Sequence, residues 1–293
     1  MSGTPWARKP ARSAGEPPLF LHELIEAAPA GARVLDAGCG PGSWRYGERP
    51  DLQVAAFDIK FPPGPPPRAP NAALFRADLA RLPLPDQRFD LTICHYVLEH
   101  VTHLEPCCDE LARVTRGGGA LYLAVPRSAS FDDRLYRFAG WFAKYVLLKL
   151  RKRLEHQQRF GLERLLATFA ARGFEVESWA RVPAGFSWMN DPRTKPLQGP
   201  FTATLAALHR ATGLDLAADA NFVLVFRKTA VAGPGSGGAR GGAADPRRLP
   251  APRRVTHVCR ECGEHAVLEP PVPWPKRWTC PWCGKPNPFG RPR

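Results

Sequence analysis

One stretch constrains the fold more than any other: Val34-Leu35-Asp36-Ala37-Gly38-Cys39-Gly40-Pro41-Gly42. An apolar strand runs straight into a glycine-rich turn and then toward a helix. Glycine lets the backbone adopt positive φ and come close to a ligand. In a doubly wound sheet such a turn lies at the carboxyl ends of the strands, where ligands bind. The surrounding pattern fits that placement. Strand-like runs at residues 33–37, 53–59, 73–77, 89–94 and 120–125 are interleaved with helix-like spacing at residues 18–28 and 104–116. Alternation of this kind implies an α/β fold, a parallel sheet with helices on both faces.

The glycine turn alone is a weak signal, open to a plain strand–helix turn or a nicotinamide site. Two features argue against the nicotinamide. Asp36 beside the loop would repel a pyrophosphate and suits a cation. Position 43 is serine where a dinucleotide fingerprint wants a third small glycine-like residue. Two further acids, Asp58 and Asp78, end the next two strands. A carboxylate at the first can hold ribose hydroxyls, and one at the second can accept from an adenine amine. Any one acid at a strand end is more often a loop residue or cap. Three on successive strands form one constellation.

With these residues in view, the chain resembles class I S-adenosylmethionine-dependent methyltransferases, in the small-molecule group related to ubiquinone/menaquinone methylases. The resemblance covers residues 18–182 and the final strand 221–228. It rests on Val34–Gly42, Phe57-Asp58-Ile59, Ala77-Asp78-Leu79, residues 89–101 (FDLTICHYVLEHV), residues 113–126 (RVTRGGGALYLAVP) and residues 156–176. It implies a doubly wound, seven-stranded, mostly parallel Rossmann-like sheet whose last strand runs antiparallel. It also implies S-adenosyl-L-methionine as cofactor. Asp36, Gly38, Cys39, Gly40 and Gly42 would lie along its methionine part, Asp58 on the ribose, and Asp78 with Leu79 on the adenine. His95 and Tyr96 would face the methyl group. His95, Tyr96 and His156 are the candidate catalytic residues, and His100 is read as packing or capping.

Methyl transfer is an in-line displacement that depends mostly on alignment. A general base matters when the acceptor is a hydroxyl or a protonated amine. No Asn/Asp-Pro-Pro-Tyr/Phe signature follows the fourth strand, so planar amino nitrogens are not the expected acceptor. Residues 134–154 are a basic amphipathic stretch with Leu135, Phe138, Phe142 and Tyr145 at helical spacing. Such a helix lies in a membrane interface, lids an apolar acceptor, or simply packs on a core. The expected acceptor is therefore a small or lipid-like molecule.

The net charge of +14 falls in two places. Residues 134–160 hold eight Lys/Arg against one Glu, and residues 230–293 hold eleven against four Asp/Glu. Such patches favour phosphate-bearing partners. The second patch contains Cys259-x-x-Cys262 and Cys280-x-x-Cys283, separated by 17 residues. Four thiolates at that spacing suit one tetrahedral structural Zn²⁺. The module resembles zinc ribbons and also rubredoxin knuckles, with zinc preferred over iron. His257 and His265 are read as surface residues. Trp274, Trp278 and Trp282 would stack on RNA, dock a protein, or cover a small core.

The expected organisation is a flexible arm at 1–17, a methyltransferase domain at 18–230 with inserts at 129–160 and 183–218, a Gly/Pro-rich flexible linker at 231–254, and a zinc-ribbon module at 255–293. The scattered Cys39, Cys94, Cys107 and Cys108 do not form a disulfide framework. With no long apolar leader, the expectation is a cytoplasmic protein, with peripheral contact to the inner membrane face open through residues 134–154. Two rival readings stand beside the small-molecule enzyme: an RNA methyltransferase gripping its substrate with the ribbon, and a non-catalytic scaffold.

Overall fold

The computed structural model describes residues 7–9, 12, 14–40, 48–60, 71–128, 158, 160–183, 204, 207, 211, 219–229, 249–253, 257–259, 265–268 and 277–288. Seven strands form one sheet. They are β2 (Arg33–Ala37), β3 (Gln53–Asp58), β4 (Ala72–Arg76), β5 (Phe89–His95), β6 (Thr115–Pro126), β7 (Phe174–Pro183) and β8 (Asp219–Lys228), in the order β4-β3-β2-β5-β6-β8-β7. Strands β2 to β6 are parallel, and β8 is antiparallel to both β6 and β7.

A parallel sheet must be covered on both faces. One face packs Leu35, Cys94, Leu121 and Phe226 against Cys107, Cys108 and Leu111 of α2 (Leu104–Val114) and Phe169 of α3 (Leu162–Ala170). The other packs Val34, Ile93, Tyr122 and Val225 against Leu21, Leu24 and Ile25 of α1 (Leu21–Ala27). Full burial of each large apolar side chain contributes about 1.5–3 kcal/mol. Cys107 and Cys108 are buried within this core, and burial pushes their thiols up to about 11 and about 12. They pack as small hydrophobes.

The helix expected at 104–116 stops at Val114, and the glycines read as its stop belong to β6. Sheet pairing overrides the breaker signal. A Cβ at Gly119 would lie 2.9 Å from the Arg116 carbonyl oxygen and 3.0 Å from that of Phe89. Glycine therefore lets β6 start against β5 where the register shifts between Phe89 and Leu91.

The chain's two ends come together. β1 (Ala7–Arg8) pairs with β10 (His265–Leu268), which pairs with β9 (His257–Val258); β11 (Arg277–Thr279) pairs with β12 (Pro286–Pro288). The arm expected at 1–17 thus supplies an edge strand, and Leu19 and Phe20 just beyond it are fully buried. The last residues of the expected linker are also bound. Leu249 packs on the core, the Trp179 indole donates to the Pro250 carbonyl at 2.7 Å, and the Arg253 amide donates to the Trp179 carbonyl. Backbone donors and acceptors satisfied in this way outweigh a flexible composition.

Arg253 also makes a two-point ion pair with Glu23 of α1, at 2.6 and 2.9 Å. Both side chains are below 10% exposed. Burial acts to raise the Glu23 carboxyl. Hydrogen bonds from Arg253 and from the Leu19 and Phe20 amides overcome it and hold the group below its usual range. Removing one partner of such a pair costs about 3–5 kcal/mol, because the other charge stays buried. Arg253→Ala is expected to lose stability on that scale in chemical denaturation, and Glu23→Gln/Arg253→Met together to lose much less.

Candidate functional site

The glycine turn is pinned to the end of β3. The Gly38 and Cys39 amides donate to the Phe57 carbonyl at 2.8 and 2.9 Å, and the Gly40 amide donates to Asp58 Oδ2 at 2.9 Å. Gly38 has φ +76°, and a Cβ there would collide with the Val97 side chain. Only glycine lets this turn lie against the loop after β5. Over Gly40 a Cβ would meet nothing within 4 Å, which leaves room beside Asp58.

The expected acids do lie at consecutive strand ends. Asp36 is buried on β2, beside Phe57's neighbour Ala56 on β3 and Ile93 on β5. Asp58 closes β3 and is half-buried, with Oδ1 accepting from the Lys60 amide at 3.0 Å. Asp78 follows β4, is exposed, and accepts from the Ala80 amide at 2.9 Å, while Leu79 is buried. Cys39 is buried, and its thiol is pushed up to about 12 by burial and by Asp36 and Asp58. It is a neutral wall of the turn rather than a nucleophile. Gly42 and His156 lie outside the described residues.

His95 and Tyr96 leave the end of β5 at the same edge, with rings 4.5 Å apart, and His95 lies 6.0 Å from the Tyr122 ring. Tyr96 has φ +54°, an uncommon left-handed conformation for a side chain of this size. Strain of this sort clusters at functional sites. Burial lowers the His95 imidazole from 6.5 to about 3, so it is neutral near pH 7 and weakly basic. That argues against His95 as the base.

Glu99 is a site candidate that the sequence pattern does not single out. It sits in a turn, is 2% exposed, and its Oε2 accepts no hydrogen bond among the described residues. Burial raises it to about 7. Its charge acts on Tyr96 and Cys94. An acid flanked by a tyrosine and a histidine at a ligand edge was the available signal, but only burial separates it from a solvated glutamate.

Against this geometry, a methyltransferase domain family model matches residues 11–178. The chain belongs to the methyltransferase domain family. The match ends within β7, so β8 and the cysteine module lie beyond it. Among its relatives is the malonyl-[acyl-carrier protein] O-methyltransferase of Pseudescherichia vulneris, 37% identical over 118 residues, which are 39% of this chain and 46% of that one. A probable S-adenosylmethionine-dependent methyltransferase of Mycobacterium tuberculosis is 37% identical over 107 residues, 34% of this chain and 37% of that one. The chain thus spans under half the length of the curated relatives it matches. A solved S-adenosylmethionine-dependent methyltransferase from Methanosarcina mazei is 17% identical, with a TM-score of 0.48 over 71% of this chain and 97% of that one.

The cysteine module forms a second candidate site. The sulfurs of Cys259, Cys280 and Cys283 lie within 4.8 Å of one another, and Cys259 Sγ and Cys283 Sγ are 3.8 Å apart. Zinc–sulfur bonds of about 2.3 Å at tetrahedral angles place sulfurs at about that separation. Among the described residues, N–H groups point at sulfur: Asn287 Nδ2 to Cys259 at 3.3 Å and the Trp282 amide to Cys280 at 3.4 Å. Such donors stabilise thiolate ligands, so these residues fit a metal. Cys262 lies outside the described residues. Trp278 and Trp282 follow the core-covering reading, Trp274 lies outside the described residues, and His265 differs from expectation. Trp278 is 3% exposed in the module's core, Trp282 packs on His22 at 3.4 Å, and His265 is 5% exposed rather than a surface residue. Trp278 is buried among Ala7, Cys259, Ala266 and Cys280, while Trp282 is partly covered by His22 of α1 and His265 by Phe20 just before it.

Two opposite pH dependences follow from His95 and Glu99. Unfolded, His95 binds a proton below about 6.5; folded, it stays neutral to about 3. Its contribution is therefore present above pH 6.5 and lost as pH falls from 6.5 toward 3. Folded Glu99 keeps its proton to about 7, while the unfolded carboxyl releases it above about 4.5. Its contribution falls as pH rises from 4.5 to 7. Between pH 4.5 and 6.5 the slopes oppose each other. Denaturant midpoints across that window are expected to rise with pH in Glu99→Gln and to fall with pH in His95→Asn, relative to the unsubstituted chain.

Proposed function

We propose that this chain transfers a methyl group from S-adenosyl-L-methionine to a small-molecule or lipid-like acceptor by in-line displacement. The observation that carries the reading is the glycine turn held to the end of β3 by the hydrogen bond from Gly40 to Asp58, with Asp36 near the end of the adjoining β2 and His95 at the end of β5 beside it. Bound S-adenosyl-L-methionine supplies an electrophilic methyl on a positively charged sulfur. Asp36 lends that edge negative field, and Gly38, Cys39, Gly40 and Gly42 would lie along the methionine part. Asp58 would hold the ribose hydroxyls, and Asp78 with Leu79 the adenine. His95 and Tyr96 bound the acceptor side and exclude water. For a hydroxyl acceptor, Glu99 is better matched than His95 or His156 to take the proton near neutral pH, since the ideal base has a pKa near the working pH.

Support for a lipid-like acceptor comes from the relative named malonyl-[acyl-carrier protein] O-methyltransferase. Contact of residues 134–154 with an apolar acceptor or the inner membrane face, and a cytoplasmic location, belong to the same proposal. Those residues lie outside the described ones, and no described helix is long and apolar enough to cross a membrane. Structural Zn²⁺ would be held by Cys259, Cys262, Cys280 and Cys283. The RNA reading is weakened by the burial of Trp278 and the packing of Trp282, which removes stacking surface. The scaffold reading is weakened by the presence of all three acids at one edge.

Calorimetry with S-adenosylhomocysteine tests the cofactor assignment. Asp58→Ala is expected to weaken binding about 10–100-fold, the scale of a lost charge-assisted hydrogen bond or two. No binding by the unsubstituted chain would favour the scaffold. Radiolabelled methyl transfer into a cell extract is expected to label the small-molecule or lipid fraction. Label confined to RNA, with binding that weakens steeply in salt, would reverse the acceptor assignment.

A further inference from the structure

The turn that carries Glu99 is tied to a segment much further along the chain. Among the described residues, the Gln158 backbone amide donates to the Glu99 carbonyl at 3.2 Å, and Gln158 Nε2 donates to the Val101 and Thr102 carbonyls, each at 3.2 Å. Gln158 thus grips one end of the turn at the backbone of Glu99 itself and the other end just before α2. Its own position is fixed. Phe160, two residues on, is buried in the core, and its carbonyl accepts from the Ser128 amide at 2.8 Å just past the end of β6. The rest of the turn is fixed from the strand side. The Tyr96 amide donates to the Ala124 carbonyl of β6 at 2.9 Å, the His100 amide donates to the Val97 carbonyl at 3.0 Å, and Val97 lies against Gly38. Between these anchors stands the buried Glu99 carboxyl, whose Oε2 accepts no hydrogen bond among the described residues.

We propose that Gln158 is a positioning residue for Glu99: its hydrogen bonds to the 99–102 turn keep the Glu99 carboxyl in one place and out of water. The proposal deepens the methyltransferase reading and rests on it for what Glu99 does. In that reading the Glu99 carboxylate takes the proton of an acceptor hydroxyl, the freed oxygen pair forms the bond to the methyl carbon, and the carbon–sulfur pair stays on sulfur.

A buried carboxyl oxygen without a hydrogen bond is costly, so a turn left to itself relaxes until water reaches it. Residues 96–103 join β5 to α2 and belong to no strand. The start of α2 adds little restraint, because its N-cap, His103, makes no side-chain capping bond. Three backbone carbonyls accepting from one residue supply what a strand ladder would otherwise supply. The chemistry of the donor matters as well. Gln158 brings a neutral amide, whereas a cation beside a carboxyl favours its ionised form and weakens it as a base. The ionisable neighbours of Glu99 are His100, with Nε2 3.9 Å from Oε1, and Tyr96 and Cys94, both kept protonated by burial and by the Glu99 charge. Burial is what raises the Glu99 carboxyl to about 7, so opening the turn returns it toward the usual 4.5. Asp36, Asp58 and Asp78 stand on β2, β3 and just past β4, away from this turn, so cofactor affinity responds little.

The test uses the full chain with carboxyl-labelled glutamate. Carbon NMR follows the Glu99 titration, its signal assigned from Glu99→Gln. The unsubstituted chain is expected to titrate at about 7. Gln158→Ala is expected to lower that midpoint by at least about one pH unit, which is about tenfold in acidity. Gln158→Asn, which keeps an amide on a shorter arm, is expected to lower it by less. Initial rates of radiolabel transfer from S-adenosyl-L-methionine into the lipid fraction of a cell extract are expected to fall at least about tenfold in Gln158→Ala, the scale of a misplaced group. S-adenosylhomocysteine affinity by calorimetry is expected to change less than about threefold, as for a distant site. Thermal unfolding identifies the variants that fold, and Gln158→Asn is read in the same way should Gln158→Ala not fold. A Glu99 midpoint that stays unchanged in the folded variants overturns the proposal even where the rate falls, and so does a midpoint near 4.5 in the unsubstituted chain. Should Glu99→Gln transfer label as fast as the unsubstituted chain, the reading of Glu99 as the base falls, while the titration still decides whether Gln158 holds the turn.

Discussion

The close approach of Gly38 to Val97 sets the geometry of everything around it. Two loops from adjacent strands meet with no room for a Cβ between them. The hydrogen bonds from Gly38, Cys39 and Gly40 to the end of β3 then lock the third strand end into the same edge. With those distances fixed, Asp36, Asp58, His95 and Tyr96 have little freedom to be anywhere else. A preorganised edge of this kind needs no reorganisation when a cationic ligand arrives, which is where electrostatic catalysis gains most.

Around that edge the protein tolerates buried ionisable groups of opposite tendency. Burial keeps His95 neutral down to about pH 3 and lets Glu99 hold its proton up to about pH 7. Groups whose surroundings push them apart in this way mark acid–base roles. The strained Tyr96 stands next to His95 and three residues before Glu99. Strain and desolvation concentrated in five consecutive residues, 95–99, are sustained by the rigid β5–β6 pairing behind them.

The cysteine module extends the same logic to the ends of the chain. Its attachment combines a short strand pair, a buried two-point ion pair and a set of ring contacts. Each is modest alone, and Arg253 with Glu23 is close to neutral against an apolar pair of the same shape. Their value lies in specificity. A charge pair, a register and an indole hydrogen bond accept one docking geometry, whereas an apolar patch would accept many.

Local pattern in the sequence settled the sheet strands within one or two residues at most ends, the glycine turn, the three acids and the paired cysteines. These features repeat or sit at fixed short spacing, so they survive reading in one dimension. β6 is the exception, because its start at Thr115 depends on pairing with Phe89, which no local propensity encodes. Tertiary structure alone decided that Ala7–Arg8 is a strand, that His265 is buried against Phe20, and that Glu99 is a desolvated acid. Each of these depends on contacts between residues far apart in the chain. Desolvation and long-range pairing are properties of what surrounds a residue, and the sequence around Glu99 or His265 is equally compatible with full exposure.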